Sequence, residues 1–320
     1  MSKLFNYTAG GLTLAAVTNY FWSSSSASAT TTGSTDSNAP GSTAIAPSSR
    51  PNLPTVSPVN PQEFFKYGFP GPVHDLQTHQ EFISCYDRST RNPYYVIEHI
   101  NASSIKSPDG GVDRKKSIFK EDEAIPAKFR ATLRDYFRSG YDRGHQAPAA
   151  DAKFNQQAMN ETFYLTNISP QQGEGFNREY WAYLEQFCRD LTKKYRDVRI
   201  VTGPLYLPKR DPDGKYRVHY EVIGNPPNIA VPTHFYKLVV CEDGSNDLRV
   251  AAFVLPNAVI DNKTPLKSFE VPVESLERSS GLNFLQNVNE KNKKSLCKEV
   301  TCEITVREYN DAKQKLLPGK

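Results

Sequence analysis

Residues 140–195 constrain the fold of this chain more tightly than any other stretch. Gly140-Tyr141-Asp142-Arg143-Gly144-His145 reads as a short strand with a glycine at a tight position. Thr162-Phe163-Tyr164-Leu165-Thr166, β-branched and aromatic, reads as a second strand. Gly173-Glu174-Gly175 then interrupts the chain. A helix is expected over residues 177–195, with Asn177 at the N-cap, where its side-chain oxygen would accept an orphan N–H. Along it Trp181, Leu184, Cys188, Leu191 and Tyr195 fall on one apolar stripe. Strand, loop, strand and helix make a ββα unit, with room for a cation between the first strand and the helix start.

Elsewhere, residues 94–100, 198–201, 235–240 and 250–255 are rich in β-branched and aromatic side chains and read as strands. Gly203-Pro204 and Asn225-Pro226-Pro227 punctuate as turns. Long strands with few, scattered helices predict an α+β fold rather than alternating βαβ units. Gly173-Glu174-Gly175 is no dinucleotide fingerprint, because the third glycine and the strand before it are missing.

The first 60 residues differ from the rest. Lys3 is the only charge before Asp36, and residues 4–22 are uncharged but broken by Asn, Thr and Gly, a marginal membrane span. Residues 23–61, rich in Ser, Thr, Ala and Pro, lack the apolar content to bury a core and read as a disordered linker. The expected organisation is therefore a targeting or anchoring segment with linker over 1–60 and a folded domain over 61–320. A Ser-rich leader without acids fits mitochondrial import, although no Arg precedes Arg50. A secretory signal, with small residues at Ser26-Ala27-Ser28-Ala29, is the rival reading.

A formal net charge of +4 over 320 residues permits nucleic-acid binding without requiring it. The five cysteines, Cys85, Cys188, Cys241, Cys297 and Cys302, form no C-x-x-C pair, which argues against a zinc site. They are expected as reduced, mostly buried thiols, although Cys297 and Cys302 are close enough in sequence to bridge.

His145 stands out among the six histidines because of its flanks. A neutral imidazole is suited to taking a proton from water. An amide oxygen at Asn177 suits a hard cation such as Mg²⁺, which keeps several waters and needs few protein oxygens. On one helix, Glu185 would lie about 80° around and about 12 Å along from Asn177, so it would reach the ion through a water. Arg143 and Arg114 are the natural complements of phosphate oxygens. Asn167 is expected in the site, where it could satisfy a buried backbone group while orienting its neighbours, and Trp181 is expected as core beneath the site. This set predicts metal-dependent cleavage of a phosphodiester. The alternatives are a non-catalytic nucleic-acid-binding protein on the same fold and a phosphodiesterase for small diesters.

The same residues resemble the DNA/RNA non-specific endonucleases of the ββα-metal class, most closely the mitochondrial endonuclease G branch. The likeness runs through Asp142-Arg143-Gly144-His145-Gln146-x3-Ala150, then Tyr164-Leu165-Thr166-Asn167-Ile168-Ser169-Pro170-Gln171. It continues in Asn177-Arg178-Glu179-Tyr180-Trp181-Ala182-x-Leu184-Glu185 and Val201-Thr202-Gly203-Pro204, covering about residues 62–310. The resemblance implies a central six-stranded antiparallel sheet, a smaller second sheet, flanking helices and a homodimer. It implies Mg²⁺- or Mn²⁺-dependent cleavage of DNA and RNA to 5′-phosphate and 3′-hydroxyl ends, in the mitochondrial intermembrane space or at the inner membrane, with possible release to the nucleus. Membrane association would run through residues 4–22. The family's general base falls on His145, its metal-binding asparagine on Asn177, a further site asparagine on Asn167, its metal-supporting glutamate on Glu185 and its motif arginine on Arg143. Its upstream arginine falls on Arg114, in a looser stretch where Lys115 and Lys116 are neighbours.

Overall fold

The β-branched segments at 94–100, 198–201, 235–240 and 250–255 form the middle of one large sheet. A computed structural model describes residues 61–68, 75–109 and 111–306, all within one unit, Pro58–Lys320. The expected leader and linker, 4–22 included, lie outside the described residues. In chain order the strands begin with β1 (Leu76–Thr78), β2 (Phe82–Asp87), β3 (Asn92–Ile100), β4 (Asp142–His145), β5 (Ile168–Gln171) and β6 (Asp197–Leu205). Then follow β7 (Lys209–Arg210), β8 (Tyr216–Arg217), β9 (Val222–Ile223), β10 (Ile229–Ala230), β11 (His234–Glu242), β12 (Leu248–Pro256), β13 (Glu270–Val271) and β14 (Lys293–Ser295). The helices are α1 (Pro61–Phe64), α2 (Leu133–Tyr136), α3 (Gln156–Glu161), α4 (Tyr180–Leu191) and α5 (Val273–Ser280).

The main sheet runs β1-β2-β3-β6-β11-β12-β13, with β14 added against β12, giving eight strands where the resemblance implies six. Three of the eight are short edge strands of two or three residues, β1, β13 and β14. Neighbours are antiparallel except β14, which lies parallel to β12. Its long strands are buried nearly throughout, which explains their near-continuous apolar runs. Three two-stranded ribbons, β4-β5, β7-β8 and β9-β10, stand where one smaller sheet was expected.

Gly203-Pro204, expected as a turn, instead lies inside β6. Pairing with β3 ends at Thr202, so Pro204 sits where β6 no longer has a neighbour on that side, a position that tolerates a missing N–H. A Cβ on Gly203 would come within 2.8 Å of the Tyr236 ring, so the glycine there makes room for an aromatic side chain. Asn225-Pro226-Pro227 does turn the chain between β9 and β10.

Helix α4 packs its stripe onto the sheet. Trp181, Leu184, Cys188 and Leu191 join Ile100, Val198, Ile200, Phe235, Val239 and Phe253 in one core cluster. Tyr195, expected on the same helix, lies beyond its end but stays buried. Cys297 and Cys302 are bridged, which corrects the expectation of five thiols. A single tight turn at Leu296–Lys298 brings their Cα atoms to 5.3 Å, within disulfide range. Cys85, Cys188 and Cys241 are buried thiols outside any disulfide, as expected.

Two details of the ββα unit differ from the sequence reading. The second strand is β5, not 162–166: Phe163 and Leu165 turn inward to the core, and Thr162 bonds back to Met159 O at the end of α3. Its pairing with β4 sets Asp142 against Gln171 and His145 against Ile168. Helix α4 starts at Tyr180 rather than at Asn177. Gly175 at φ +76° and an extended Glu174 make Gly173–Asn177 a wide turn, and Glu179 is non-helical as well. Asn177 therefore caps nothing, and the spacing computed along one helix axis does not apply to it and Glu185.

Candidate active site

His145 closes β4 with its ring between two phenylalanines, edge-on to Phe163 at 4.7 Å and tilted against Phe119 at 5.5 Å. Gly144 beside it is required, because a Cβ there would overlap the buried Gln171 side chain of the partner strand. Burial, with help from the Arg114 cation, pushes the His145 imidazole down to about 3. The ring is therefore neutral at physiological pH. Nε2 is sealed from solvent and makes no hydrogen bond, which leaves Nδ1 as the reachable ring nitrogen.

The same two rings carry the two arginines. Arg114 lies over Phe163 at 5.7 Å and Arg143 over Phe119 at 4.3 Å. Both are exposed and neither makes a salt bridge among the described residues, although Arg114 acts on the Glu185 carboxyl and Arg143 on that of Asp142. Arg143 and His145 share one face of β4, as alternation along a strand requires. His145, Arg143 and Arg114 thus form one group, organised by two aromatic side chains that sequence reading did not single out.

Asn177 is tied to the other end of the same strand. Its Nδ2 donates to Asp142 Oδ2 at 2.9 Å, and Arg178 donates to both Asp142 oxygens at 2.8 and 2.6 Å. Burial alone would raise the Asp142 carboxyl, but these hydrogen bonds hold it below the usual carboxylate range. A carboxylate only accepts, so it fixes which end of the Asn177 amide is nitrogen. Oδ1 is left without a donor among the described residues. Gly173 lets Asp142 lie against the wide turn, since a Cβ would sit 3.0 Å from both carboxylate oxygens. The pattern Asp-Arg-Gly-His contains Asp142, but its role becomes visible only with Asn177 placed 35 residues on.

Asn167 is spent on the backbone. It is fully buried, its Nδ2 donates to Ala147 O (2.9 Å) and Thr162 O (2.8 Å), and its Oδ1 accepts from Ala147 N at 2.9 Å. It holds the loop that follows His145 and has no exposed surface for a substrate. Its amide is bonded to backbone at both ends, in line with the expectation that it satisfies buried backbone groups next to the site.

Glu185, on α4, lies above a buried charged layer. Burial raises its carboxyl to about 7, against the pull of Lys237, Arg189 and Arg114. Arg114 thus acts electrostatically on both Glu185 and His145. Arg189 Nη1 donates to Asp151 Oδ1 at 2.7 Å. Lys237, 1% exposed in mid-β11, donates to Thr202 Oγ1 at 2.8 Å and to Gln146 O at 3.4 Å, with the Trp181 ring 5.0 Å away. Burial drives the carboxyls of Glu81 and Glu98 well above their normal range. Lys237 and Glu98 were absent from the candidates, yet a charge inside Phe-Tyr-Lys-Leu-Val-Val or Val-Ile-Glu-His-Ile was a signal, since such residues are rarely buried unpaired.

Among the described residues no cluster of three or more His, Cys, Asp or Glu is arranged for a metal. The oriented, free Oδ1 of Asn177 is the donor type a hard cation accepts, and the residues present fit a cation that keeps most of its waters. Trp181 is fully buried, as expected for core.

The model of the DNA/RNA non-specific endonuclease family matches residues 60–291. The chain is similar to the mitochondrial nuclease of Saccharomyces cerevisiae, 66% identical over 260 residues, spanning 79% of this chain and 78% of that protein. It is similar to nuclease C1 of Cunninghamella echinulata, at 47% identity over 79% of this chain and 99% of that protein. Human mitochondrial endonuclease G is 42% identical over 71% of this chain and 74% of its own. Among solved structures, a chain in the crystal structure of the EndoG/EndoGI complex matches with a TM-score of 0.71 and 48% identity, over 75% of this chain and 96% of that one.

Proposed function

This chain belongs to the DNA/RNA non-specific endonuclease family, a family of metal-dependent hydrolases, and from that premise we propose that it cuts DNA and RNA with Mg²⁺, Mn²⁺ serving as a substitute, leaving 5′-phosphate and 3′-hydroxyl ends. Asn177 Oδ1 would hold the cation, with Glu185 assisting through solvent. When bound, the ion supplies positive charge to the oxygens of the scissile phosphate.

The residues of the chain do the rest. His145 takes a proton from the attacking water at Nδ1, the ring nitrogen open to solvent; as the water oxygen bonds phosphorus, the P–O3′ bond breaks and the leaving 3′-oxygen takes a proton from solvent. Its neutral state means the base is already free at pH 7. Arg114 offsets charge developing at phosphorus, and Arg143 positions the phosphate from its place on Phe119. Asn167 keeps the loop after His145 in place, and Asp142 keeps the Asn177 amide turned outward. Contacts of this kind read phosphate rather than bases, so sequence preference is weak and salt sensitivity strong.

The observation that supports this reading most is the Asp142–Asn177 hydrogen bond, which ties an oriented amide oxygen to the strand that ends in a neutral histidine. The experiment is digestion of end-labelled DNA and RNA oligonucleotides in Mg²⁺ and in EDTA, with the product ends identified. Cleavage surviving in EDTA, or 3′-phosphate products, would overturn the proposal.

The names of the yeast, fission-yeast and human relatives support a mitochondrial location; the intermembrane space or inner membrane, with release to the nucleus, is the proposal within it. Residues 1–60 would direct it there and 61–320 form the nuclease domain. A homodimer and membrane association through residues 4–22 complete the proposal.

A further inference from the structure

We propose that Phe137 is a stacking platform for a base of a single-stranded stretch of substrate, in a cleft beside the active site; this deepens the nuclease reading and rests on it. After α2 the backbone reverses sharply, with Arg138 at φ +54° and Gly140 at φ +85°. A non-glycine residue in that conformation is held there by its surroundings. The reversal leaves Phe137 71% exposed, the most exposed large hydrophobic side chain among the described residues. The Arg138 guanidinium lies 5.1 Å from its ring.

Phe137 borders a cleft of about 300 Å³ lined also by Leu133, Arg138, Tyr141, Asp142 and Arg143. The cleft therefore opens onto the first half of β4, and His145 lies at the strand's other end, roughly 10 Å along it. The hydroxyl of Tyr141 donates to Glu221 at 3.0 Å. The lining itself carries two arginines, Arg138 and Arg143, against one carboxylate, Asp142, which Arg178 already offsets, a balance that suits a polyanion. Arg134, Arg138 and Arg143 are exposed and make no salt bridge among the described residues. Of the acids nearby, Asp142 is paired with the Arg178 cation, while Asp135, Glu121 and Glu221 accept from neutral groups at Thr132 and Asn228, Leu133 and Tyr141. An exposed aromatic ring among arginines outside these salt bridges, continuous with a phosphate-cleaving site, matches the chemistry of single-stranded nucleic-acid binding, in which rings stack bases and cations track the backbone.

The test measures binding without cleavage. Fluorescein-labelled single-stranded DNA, with either a normal or an abasic nucleotide at each position in turn, is titrated by anisotropy in EDTA against the wild type, Phe137→Ala and Phe137→Trp. Phe137→Ala is expected to weaken binding about tenfold, with Phe137→Trp restoring it. One abasic position should weaken the wild type by a similar factor and leave Phe137→Ala unaffected. In Mg²⁺, Phe137→Ala should raise KM and leave kcat within about twofold, and Arg138→Ala should lower the salt slope by about one. Unchanged affinity of Phe137→Ala, equal abasic penalties in both proteins, or a change confined to oligomeric state by sedimentation would overturn the platform. Absence of cleavage in the wild type would instead overturn the nuclease mechanism, and the binding arms would still report on Phe137.

Discussion

Removing the Asn167 carboxamide by Asn167→Ala strands three buried backbone groups at once: the N–H and C=O of Ala147 and the C=O of Thr162. Each hydrogen bond contributes about 1 kcal/mol net, and a buried group left unsatisfied costs about 1–3 kcal/mol. Some relaxation is expected at the carbonyls, so a loss of about 3–5 kcal/mol follows. For a domain of this size that lowers the melting temperature by roughly 10 °C. Asn167→Asp should be worse than Ala, because it would turn a buried carboxylate oxygen toward the two carbonyls that now accept from Nδ2. Urea unfolding followed by circular dichroism gives the stability, and plasmid cleavage gives the rate. Activity should fall in the folded protein too, since the Ala147 loop follows His145 directly. If Asn167→Ala unfolds at the wild-type midpoint, or if Asp is tolerated better than Ala, the carboxamide does not hold this loop.

Gly144→Ala should destabilise by about 1–3 kcal/mol, read as a thermal shift, because the new methyl must displace the buried Gln171 side chain. The His145 pKa is near 3 when folded and about 6.5 when unfolded, so the unfolded chain binds the extra proton between these values. That contribution to stability is complete above about pH 6.5 and is lost as pH falls toward 3, with a slope of up to about 1.4 kcal/mol per pH unit. Unfolding free energies of His145→Ala measured from pH 7 to 4 should accordingly fall less steeply than those of the wild type. Lys237→Met removes the cation that lowers Glu185, so the Glu185 carboxyl should titrate above its present value of about 7. The pH–rate profile should then move to higher pH, which a purely structural role for Lys237 would not produce.

The sheet was legible in the sequence wherever a strand is buried on both faces, because continuous β-branched runs at 94–100, 235–240 and 250–255 leave little choice of element. The α4 stripe was legible for the same reason. Local propensity misled where tertiary packing decides. Residues 162–166 have strand composition, but Phe163 and Leu165 use it to fill the core beside a turn pinned by Asn167. The start of α4 was displaced by the backbone at Gly175, and Gly203-Pro204 stayed extended because β11 pairs across it, while pairing with β3 ends before it and leaves the proline no N–H to supply there. The order of site residues was readable from residues 142–185. What was not readable was which partner each would take: Asp142 for Asn177, two phenylalanines for the arginines, backbone for Asn167. Those pairings join segments far apart in the chain, and one sequence carries no record of them. The disulfide was missed because a count of cysteines says nothing about a turn that brings two of them together.

The central claim is that Asn177 and His145 serve one metal-dependent cleavage, one holding the ion and the other the proton. It is tested most directly by titrating Mg²⁺ against the rate of supercoiled-plasmid cleavage by the wild type, His145→Ala and Asn177→Ala. His145→Ala should lose at least about 100-fold in rate at every Mg²⁺ concentration while unfolding as a native protein. Asn177→Ala should lose rate and need more Mg²⁺ to reach half its maximum. A wild-type rate in His145→Ala, or an unchanged Mg²⁺ midpoint in Asn177→Ala, would contradict it.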